Sequence, residues 1–180
     1  MPRVSQEQAR QNRQRVVAMA AALFRERGLH GVGVADIMAS AGLTHGGFYG
    51  QFANKDALAV EAFDSALAED RRGTGDALIA NYLSTAHVQD PGKGCPLAAL
   101  ANDVAREPPD SQMRVRFTRG VEGLAALLAG LTPRLSKGRR RQQSLAALST
   151  LVGAVVLARA VNDEALAKEL LEAAIASTTR

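Results

Sequence analysis

The sequence of 180 residues has one cysteine, no tryptophan and only 4% aromatic residues. A single cysteine, Cys95, cannot form an internal disulfide, which excludes a disulfide-stapled secreted scaffold. Gly, Arg or Ser interrupts every apolar stretch well before the about 18 residues that a membrane span needs. The N-terminus opens with polar and charged residues instead of the apolar segment of a signal peptide. We therefore expect a cytoplasmic protein without a membrane partner.

Motifs that carry catalysis are also missing from the sequence. It has no Gly-rich phosphate loop, nucleophile elbow, metal-binding helix motif or spaced carboxylate pair. The three histidines, at positions 30, 45 and 87, are too far apart for a local metal motif. The sequence thus predicts a protein that is not an enzyme and that has no cofactor and no metal.

What the sequence does have is a globular composition and an uneven charge. Apolar residues make up 47% and charged residues 22%, close to globular averages. The net charge is +4, and residues 1–28 alone hold six Arg against two Glu. A basic arm ahead of a helix is typical of nucleic-acid binding, but it is also typical of a solvated helix face.

Helical periodicity runs through nearly the whole chain, and no convincing strand pattern occurs. Gly28 and Gly42 are natural helix stops, while Thr44 and Asn54 are good N-caps. Residues 73–75 should break the chain, and the segment from His87 to Gly94 should be a loop. The predicted helices cover about residues 6–27, 34–41, 45–52, 54–72, 76–86, 96–107, 111–131, 139–160 and 163–178.

Two short helices joined by a Gly-containing turn, between a basic helix and a long one, form a helix-turn-helix unit. The stretch from Val34 to Leu58, VADIMASAGLTHGGFYGQFANKDAL, resembles the DNA-binding signature of the TetR family of bacterial transcriptional regulators. This resemblance covers about residues 12–60. It implies an all-α fold: an N-terminal three-helix helix-turn-helix DNA-binding domain, 1–53, joined to a C-terminal helical ligand-binding and dimerisation domain, 54–180. Helix 54–72 links the two domains.

The resemblance also implies which residues meet DNA. Residues 44–51 would form the recognition helix in the major groove, while Phe48 and Phe52 belong to the core. Tyr49 and Lys55 fall at positions that touch phosphate, and His45 falls at one that reaches a base edge. The alternatives are a packed aromatic for Tyr49 and a solvated cap residue for Lys55. The predicted DNA-binding residues are Thr44, His45, Gly46, Gly47, Tyr49, Gln51 and Lys55.

The sequence departs from the family pattern at several positions. Gly33, Ala35 and Gly50 stand where larger or polar side chains are usual, so we expect direct base readout to be sparse. Three glycines in one short helix also cost about 1 kcal/mol each relative to Ala. Close backbone approach or tertiary packing should compensate for that cost.

Members of this family are homodimers, and residues 139–178 have the apolar length to form the interface. A dimer would read a palindromic operator whose half-sites lie about 34–36 Å apart, and its binding should weaken with salt. Residues 139–141, Arg-Arg-Arg, are either a second nucleic-acid patch or a solvated turn.

A small-molecule effector is expected to bind within the C-terminal helices and to shift their conformation. Arg114, Arg116 and Arg119 either attract an anionic ligand or are surface charges. The other candidate residues are ordinary core on the alternative interpretation. The predicted effector-pocket residues are Tyr82, Leu83, Cys95, Leu100, Val104, Phe117, Val121 and Leu124.

Cys95 follows Lys93 and Gly94 at a predicted helix N-terminus, where the dipole and the cation would lower the pKa of its thiol. A reactive thiol that senses oxidants or electrophiles is one interpretation, and a small buried hydrophobe is the other.

These expectations combine into one function. The chain is expected to be a homodimeric repressor that a small-molecule or thiol-reactive effector releases from a palindromic operator. The alternative is a helical protein-interaction module or adaptor without DNA binding. That alternative leaves the three glycines and the basic arm unexplained.

Overall fold

The computed structural model of the chain describes residues 6–70, 76–130 and 136–178, and the regular structure in these ranges is helical throughout. The all-α fold class expected from the sequence is confirmed. The α-helices are α1 Gln6–Arg27, α2 Val34–Ser40, α3 Lys55–Asp70, α4 Asp76–Tyr82, α5 Thr85–Gln89, α6 Pro96–Arg106, α7 Gln112–Ala129, α8 Lys137–Ala160 and α9 Glu164–Thr178, with 3-10 helices at His45–Gly47 and Pro91–Lys93.

Helix α1 is the centre of the N-terminal unit, where it packs against both α2 and α3. Its apolar stripe includes Val16, Ala20 and Phe24, which are almost wholly buried. The helix ends as predicted at Gly28, which has φ +78° and donates its N–H to the Phe24 oxygen at 2.8 Å. Only glycine adopts this left-handed backbone at little cost, so it both ends α1 and redirects the chain towards α2.

The predicted third helix, over residues 45–52, is largely absent. A 3-10 helix covers only His45–Gly47, and a single helical turn follows in which the Phe52 N–H bonds the Phe48 oxygen at 3.0 Å. Gly46, Gly47 and Gly50 explain the difference, because each lowers helix propensity by about 1 kcal/mol relative to Ala. The predicted burial of Phe48 and Phe52 is confirmed, but the predicted helix length is wrong.

The predicted helix over 76–86 is also shorter than expected. Helix α4 ends at Tyr82, and Ser84 begins the new helix α5 by accepting the His87 N–H at 3.2 Å. A hydroxyl that caps a new helix competes with continuation of the old one. The segment from His87 to Gly94, expected to be a loop, therefore contains the end of α5 and a 3-10 helix.

Several predicted boundaries lie outside the described residues. These are the end of the fourth predicted helix at Arg71 and Arg72, the break at 73–75, the last residue of helix 111–131 and its stop at Pro133.

The C-terminal unit is built around α8, which packs against α5, α6, α7 and α9. By length and composition α8 is apolar enough to cross a membrane, a test that core helices of soluble proteins also pass. Its neighbours bury Leu148, Leu151 and Val155, while Leu157 stays 53% exposed. This helix therefore has one face in the core and another that no described element covers.

Candidate nucleic-acid interface

Buried aromatic side chains form the core side of the helix-turn-helix region. Phe48 and Phe52 are 1% and 5% exposed, and their rings stack at 5.5 Å between centroids. Gly42, at φ +68°, makes the turn after α2, and the Leu43 N–H then bonds the Met38 oxygen at 2.9 Å. Both phenylalanines lie in the core as expected, which fixes the outward direction of the residues between them.

The outward surface is formed by five residues, which we name the reading face: Thr44, His45, Gly46, Gly47 and Tyr49. Tyr49 is 68% exposed, so the alternative of a packed aromatic does not describe it. Its ring meets His45 edge-on at 5.9 Å and Phe48 edge-on at 5.2 Å. These contacts hold the ring in place while leaving most of its surface in solvent.

Gln51 and Lys55 differ from the reading face. Gln51 is half-buried, and its Nε2 donates to the Gly47 oxygen at 3.3 Å. Lys55 opens α3, is also half-buried, and its Nζ lies 5.9 Å from the centroid of the Phe24 ring. Asn54 caps this helix as predicted by accepting the Ala57 N–H at 2.8 Å. Both predicted DNA-binding residues therefore also have contacts within the chain.

The glycines of this region are not required by packing inside the chain. A Cβ on Gly46 would meet no atom within 4 Å, and one on Gly50 would meet only the Gly47 oxygen at 3.9 Å. Neither has a positive φ. Tertiary packing therefore does not offset the cost of a glycine at position 46. The other compensation expected from the sequence is close backbone approach to a partner.

The basic excess of the N-terminal segment is only partly available to a partner. Arg13 forms an ion pair with Glu61 and lies 4.6 Å over the Phe52 ring. Arg10 is bound to Glu7, and this contact lowers the pKa of the Glu7 carboxyl. Arg25 is buried and donates to the Gly94 oxygen. Charge counting therefore overestimated the number of arginines that face a partner.

A set of contacts that the sequence did not reveal joins the end of α1 to α6. The Leu29 N–H donates to the Asp103 Oδ2 at 2.7 Å, and a Cβ on Gly28 would lie 2.5 Å from that same oxygen. Nearby, His30 Nε2 and Glu107 Oε1 are 3.1 Å apart. A groove of about 540 Å³ opens here, lined in part by Lys55 and Met113. No sequence motif signals such long-range pairs.

A second connection between α1 and the C-terminal unit runs through residues 84–95, which we name the α4–α6 connection. The buried Arg25 of α1 donates from Nη1 to the Gly94 oxygen at 3.0 Å and from Nε to the Ala21 oxygen at 2.9 Å. From α8, Arg159 donates to the His87 oxygen at 2.7 Å and to the Val88 oxygen at 3.2 Å. Burial lowers the pKa of the Arg159 guanidinium from its usual value.

His87 holds the α4–α6 connection from within. Its Nε2 lies 2.9 Å from the Cys95 nitrogen, and its Nδ1 lies 2.5 Å from the Tyr82 oxygen. Because a backbone N–H can only donate and a carbonyl can only accept, the ring carries its proton on Nδ1. His87 therefore joins α4 to the start of α6.

Cys95 occupies the N-cap of α6, as the sequence predicted, but its side chain is 0% exposed. The neighbouring cation has another partner, since Lys93 Nζ lies 2.8 Å from Asp90 Oδ2. This pair raises the pKa of Lys93 and lowers that of Asp90. The burial matches the expectation of a small buried hydrophobe.

Most of the predicted effector-pocket residues are packed side chains. Phe117 is partly buried and stacks on Phe63 at 5.9 Å, and Val121 is also partly buried. Tyr82 lines a groove of about 260 Å³ beside His87. The remaining aliphatic candidates are buried: Leu83, Leu100, Val104 and Leu124.

The three arginines of α7 divide between structural and surface roles. Arg114 donates to the Glu107 oxygen at 2.8 Å and to the Ala105 oxygen at 2.6 Å, so it binds the end of α6. Arg116 lies 3.5 Å from Asp64, while Arg119 is exposed. This arrangement favours the interpretation as structural and surface charges.

Comparison with known proteins identifies a family that shares these features. The profile of bacterial regulatory proteins of the tetR family matches residues 16–62, which span α1 to α3. Two HTH-type transcriptional regulators from Mycobacterium tuberculosis, of strains CDC 1551 / Oshkosh and ATCC 25618 / H37Rv, are each 32% identical over 170 residues, covering 84% of this chain and 86% of the relative.

Solved structures match almost the whole chain. A TetR-family regulator from Cytophaga hutchinsonii superimposes with a TM-score of 0.75 at 21% identity, covering 99% of this chain and 97% of that one. The reduced form of NemR from E. coli gives 0.74 at 24% identity, covering 93% and 95%. A TetR regulator from Chloroflexus aurantiacus gives 0.73 at 26% identity, covering 96% and 94%.

The likeness extends beyond the DNA-binding segment into the helices that follow it, and it leaves the adaptor alternative without support. TetR-family regulators bind operator DNA, are dimers and are not enzymes. Matching profile, curated relatives and overall fold agree that this chain is a helix-turn-helix transcriptional regulator of the TetR family.

Proposed function

We propose that the protein is a cytoplasmic homodimeric repressor whose reading face enters the major groove of a palindromic operator. The observation that carries this proposal is the contrast between the buried Phe48 and Phe52 and the exposed side chains between and before them. An exposed Tyr49 near Gly46, where an added Cβ would meet no atom within 4 Å, favours contact with the DNA backbone. A dimer bound to an operator would block polymerase without a further contact surface.

The DNA-binding domain would comprise residues 1–53 and the effector and dimerisation domain residues 54–180, with α3 between them. Thr44, His45, Gly46, Gly47 and Tyr49 would make the principal contacts. Lys55 would add a phosphate contact if its Nζ leaves the Phe24 ring, and Gln51 would contribute by holding the Gly47 carbonyl.

Dimerisation would use residues 139–178, on α8 and α9. Leu145 and Leu157 of α8 and Leu166 of α9 are large apolar side chains that remain exposed in the single chain. A twofold interface between two copies of this helix pair would cover them. The same face accounts for the high mean hydropathy of α8 without a membrane.

The effector would act on the C-terminal helices, with Tyr82, Leu100 and Phe117 among the candidate contacts. One similar structure, that of NemR, is described as its reduced form. A redox- or electrophile-responsive thiol is accordingly the chemistry to test at Cys95. Because the Cys95 side chain is fully buried at the start of α6, an adduct on its sulfur would have to displace the side chains packed around it.

The decisive experiment is selection of bound sequences from a random duplex pool at near-physiological salt, with the wild type and Tyr49→Ala in parallel. Recovery of a palindrome is expected with the wild type. Tyr49→Ala should weaken binding to the selected operator by about tenfold or more. Tyr49→Phe is the matched control, since it keeps the ring and removes only the hydroxyl, and it should fall between the two.

Circular dichroism checks that each variant folds. A folded Tyr49→Ala protein that holds the operator as tightly as the wild type would place the reading face elsewhere. Repeating the selection after alkylation of Cys95, with Cys95→Ser as the unreactive control, tests the thiol. Loss of the palindrome in the wild type alone supports thiol sensing, and equal binding in both contradicts it.

A further inference from the structure

Two pairs of residues join the turn after α1 to the C-terminal end of α6. The Leu29 N–H donates to the Asp103 Oδ2 at 2.7 Å, and Nε2 of the next residue, His30, lies 3.1 Å from the Glu107 Oε1. Asp103 and Glu107 are four residues apart, so both side chains leave the same side of α6. We name these two contacts, of residue 29 with 103 and of residue 30 with 107, the junction clamp.

The two carboxylates of the junction clamp do not stabilise α6 itself. The C-terminal end of a helix carries a partial negative charge, and like charges four residues apart repel each other. Arg106 approaches Asp103 no closer than 3.8 Å. At the end of α1, Gly28 leaves room for Asp103, because a Cβ there would lie 2.5 Å from its Oδ2. Contact with the turn after α1 therefore offsets an arrangement that is unfavourable in α6 alone.

The two halves of the junction clamp depend differently on protonation. The Asp103 half uses a backbone N–H, which remains a donor across the physiological pH range. The Glu107 half uses a histidine ring, and histidine changes its charge between about pH 5 and pH 8. The Glu107 side chain is only 21% exposed, and the ion pair that it forms among the described residues is that with protonated His30. Loss of the ring's charge therefore leaves a largely buried carboxylate without an ionic partner.

Other charged groups near the junction clamp do not replace His30. Arg114 donates to the backbone oxygen of Glu107 and not to its carboxylate, so it fixes the end of α6 without neutralising the acid. The two charged residues of α3 that line the adjoining groove of about 540 Å³ have opposite signs. The charged groups that surround the pair are Arg27 of α1, Lys55 and Asp56 of α3, Asp103 and Arg106 of α6, and Arg114 of α7.

From these observations we propose that the junction clamp is a proton-dependent attachment of the N-terminal unit to the C-terminal unit. Protonated His30 pairs with Glu107 and holds the turn after α1 against α6, and this attachment loosens as the pH rises and the ring becomes neutral. Because α1 leads through the turn into α2, the freedom of the reading face relative to α6 changes with the clamp. Operator affinity therefore depends on pH through His30, a residue outside the reading face.

Hydrogen exchange of the Leu29 amide measures the clamp, because this N–H lies between the two segments. Isotope-labelled full-length protein is followed by NMR at about pH 6 and about pH 8, and each rate is compared with that of an unstructured amide at the same pH. The protection of Leu29 should fall about threefold across this range. Constant protection of Leu29 would overturn the proposal.

The Leu43 amide is the internal control of this measurement. It bonds the Met38 oxygen at 2.9 Å within the N-terminal unit and does not contact α6. Its protection should stay the same at both pH values. An equal loss of protection at Leu29 and Leu43 would mean that the whole unit is destabilised, and it would contradict a local clamp.

Matched variants assign the effect to the His30–Glu107 pair. His30→Gln keeps a hydrogen-bond donor without a titratable charge, and Glu107→Gln removes the carboxylate, so both should abolish the pH dependence at Leu29. His45→Gln makes the same change at another exposed histidine and should keep the wild-type dependence. A pH dependence that persists in His30→Gln, or that disappears in His45→Gln, would contradict the proposal.

Operator binding is tested separately, by fluorescence anisotropy of labelled DNA at the same two pH values. The ratio of the two dissociation constants should differ at least twofold between the wild type and His30→Gln. Since His45 and His87 are unchanged in both proteins, this comparison isolates His30. Equal ratios would overturn the effect of the clamp on DNA binding. If no operator is bound at all, the proposed repressor role fails, while hydrogen exchange still decides whether the clamp exists.

Discussion

The reading face and the α4–α6 connection are both short segments between helices, yet their polar groups are used in opposite ways. In the α4–α6 connection, His87 bonds backbone groups of Tyr82 and Cys95, and arginines from two distant helices bond its carbonyls. In the reading face, His45 and Tyr49 are exposed, and their ring contacts are with each other and, for Tyr49, with Phe48. Satisfied polar groups indicate a structural joint, and exposed ones with few internal contacts indicate a surface for a partner.

The comparison also explains how the two units of the molecule are connected. Arg25 belongs to α1 and Arg159 to α8, and both are held by carbonyls of the same connection. A shift of this connection would therefore alter the hydrogen bonds of Arg25 at the end of α1 and of Arg159 in α8, the proposed dimer helix. Substitutions in the two segments, and at Arg25 which contacts one of them, should separate stability from DNA affinity, and three comparisons test this in order of expected effect.

Arg25→Met should be the most damaging change, lowering the free energy of unfolding by about 2–3 kcal/mol. Methionine retains much of the apolar stem but leaves the buried Gly94 carbonyl without the Arg25 donor. Urea denaturation followed by circular dichroism measures the effect. Arg27→Met, an exposed change in the same turn of α1, should stay within about 0.5 kcal/mol of the wild type. Equal stability of the two variants would show that Arg25 does not hold the connection.

The two histidines give a matched comparison across the two segments. His87→Ala removes one donor and one acceptor from partly buried backbone groups and should cost about 2 kcal/mol of stability. His45→Ala changes an exposed ring and should alter stability by less than about 0.5 kcal/mol. Its effect should appear instead as weaker operator binding, measured by fluorescence anisotropy of labelled DNA. A destabilised His45→Ala protein with unchanged DNA affinity would reverse the roles of the two segments.

The same contrast shows what the sequence can and cannot predict. Gly28, Gly42 and Asn54 act locally, and the helix boundaries that they set were predicted from residue type alone. The core positions of Phe48 and Phe52 followed from their spacing. Local rules failed where two of them competed, as in the glycine-rich turn after Thr44 and at the Ser84 cap, where helix length depends on which tendency is stronger.

Contacts between distant residues could not be predicted in this way. Arg25 and Gly94 are 69 positions apart, and Arg159 and His87 are 72 apart. Nothing in the sequence distinguishes the buried Arg25 from its exposed neighbour Arg27, since both are basic residues near a helix C-terminus. Such pairs form only when the packing of α1, α6 and α8 brings them together, so charge counting assigned Arg25 to the basic arm.

Gly46→Ala should change stability by less than Arg25→Met or His87→Ala does, and in the opposite direction. Because a Cβ at this position meets no atom within 4 Å and the backbone φ is not positive, alanine fits without strain. It should raise the free energy of unfolding by about 0.4–1 kcal/mol through the lower entropy of the unfolded chain. If the DNA backbone approaches Gly46 closely, the same methyl group should weaken operator binding.

Gly138→Ala is the matched control for Gly46→Ala. Gly138 lies in the first turn of α8 and is exposed, and a Cβ added there would likewise meet no atom within 4 Å. It should gain similar stability and leave operator affinity unchanged. Parallel urea denaturation and anisotropy titrations measure both quantities. Gain of stability with loss of DNA binding only at Gly46 would mean that its missing side chain serves the partner and not the fold, whereas unchanged DNA binding would leave this glycine without a role in contact.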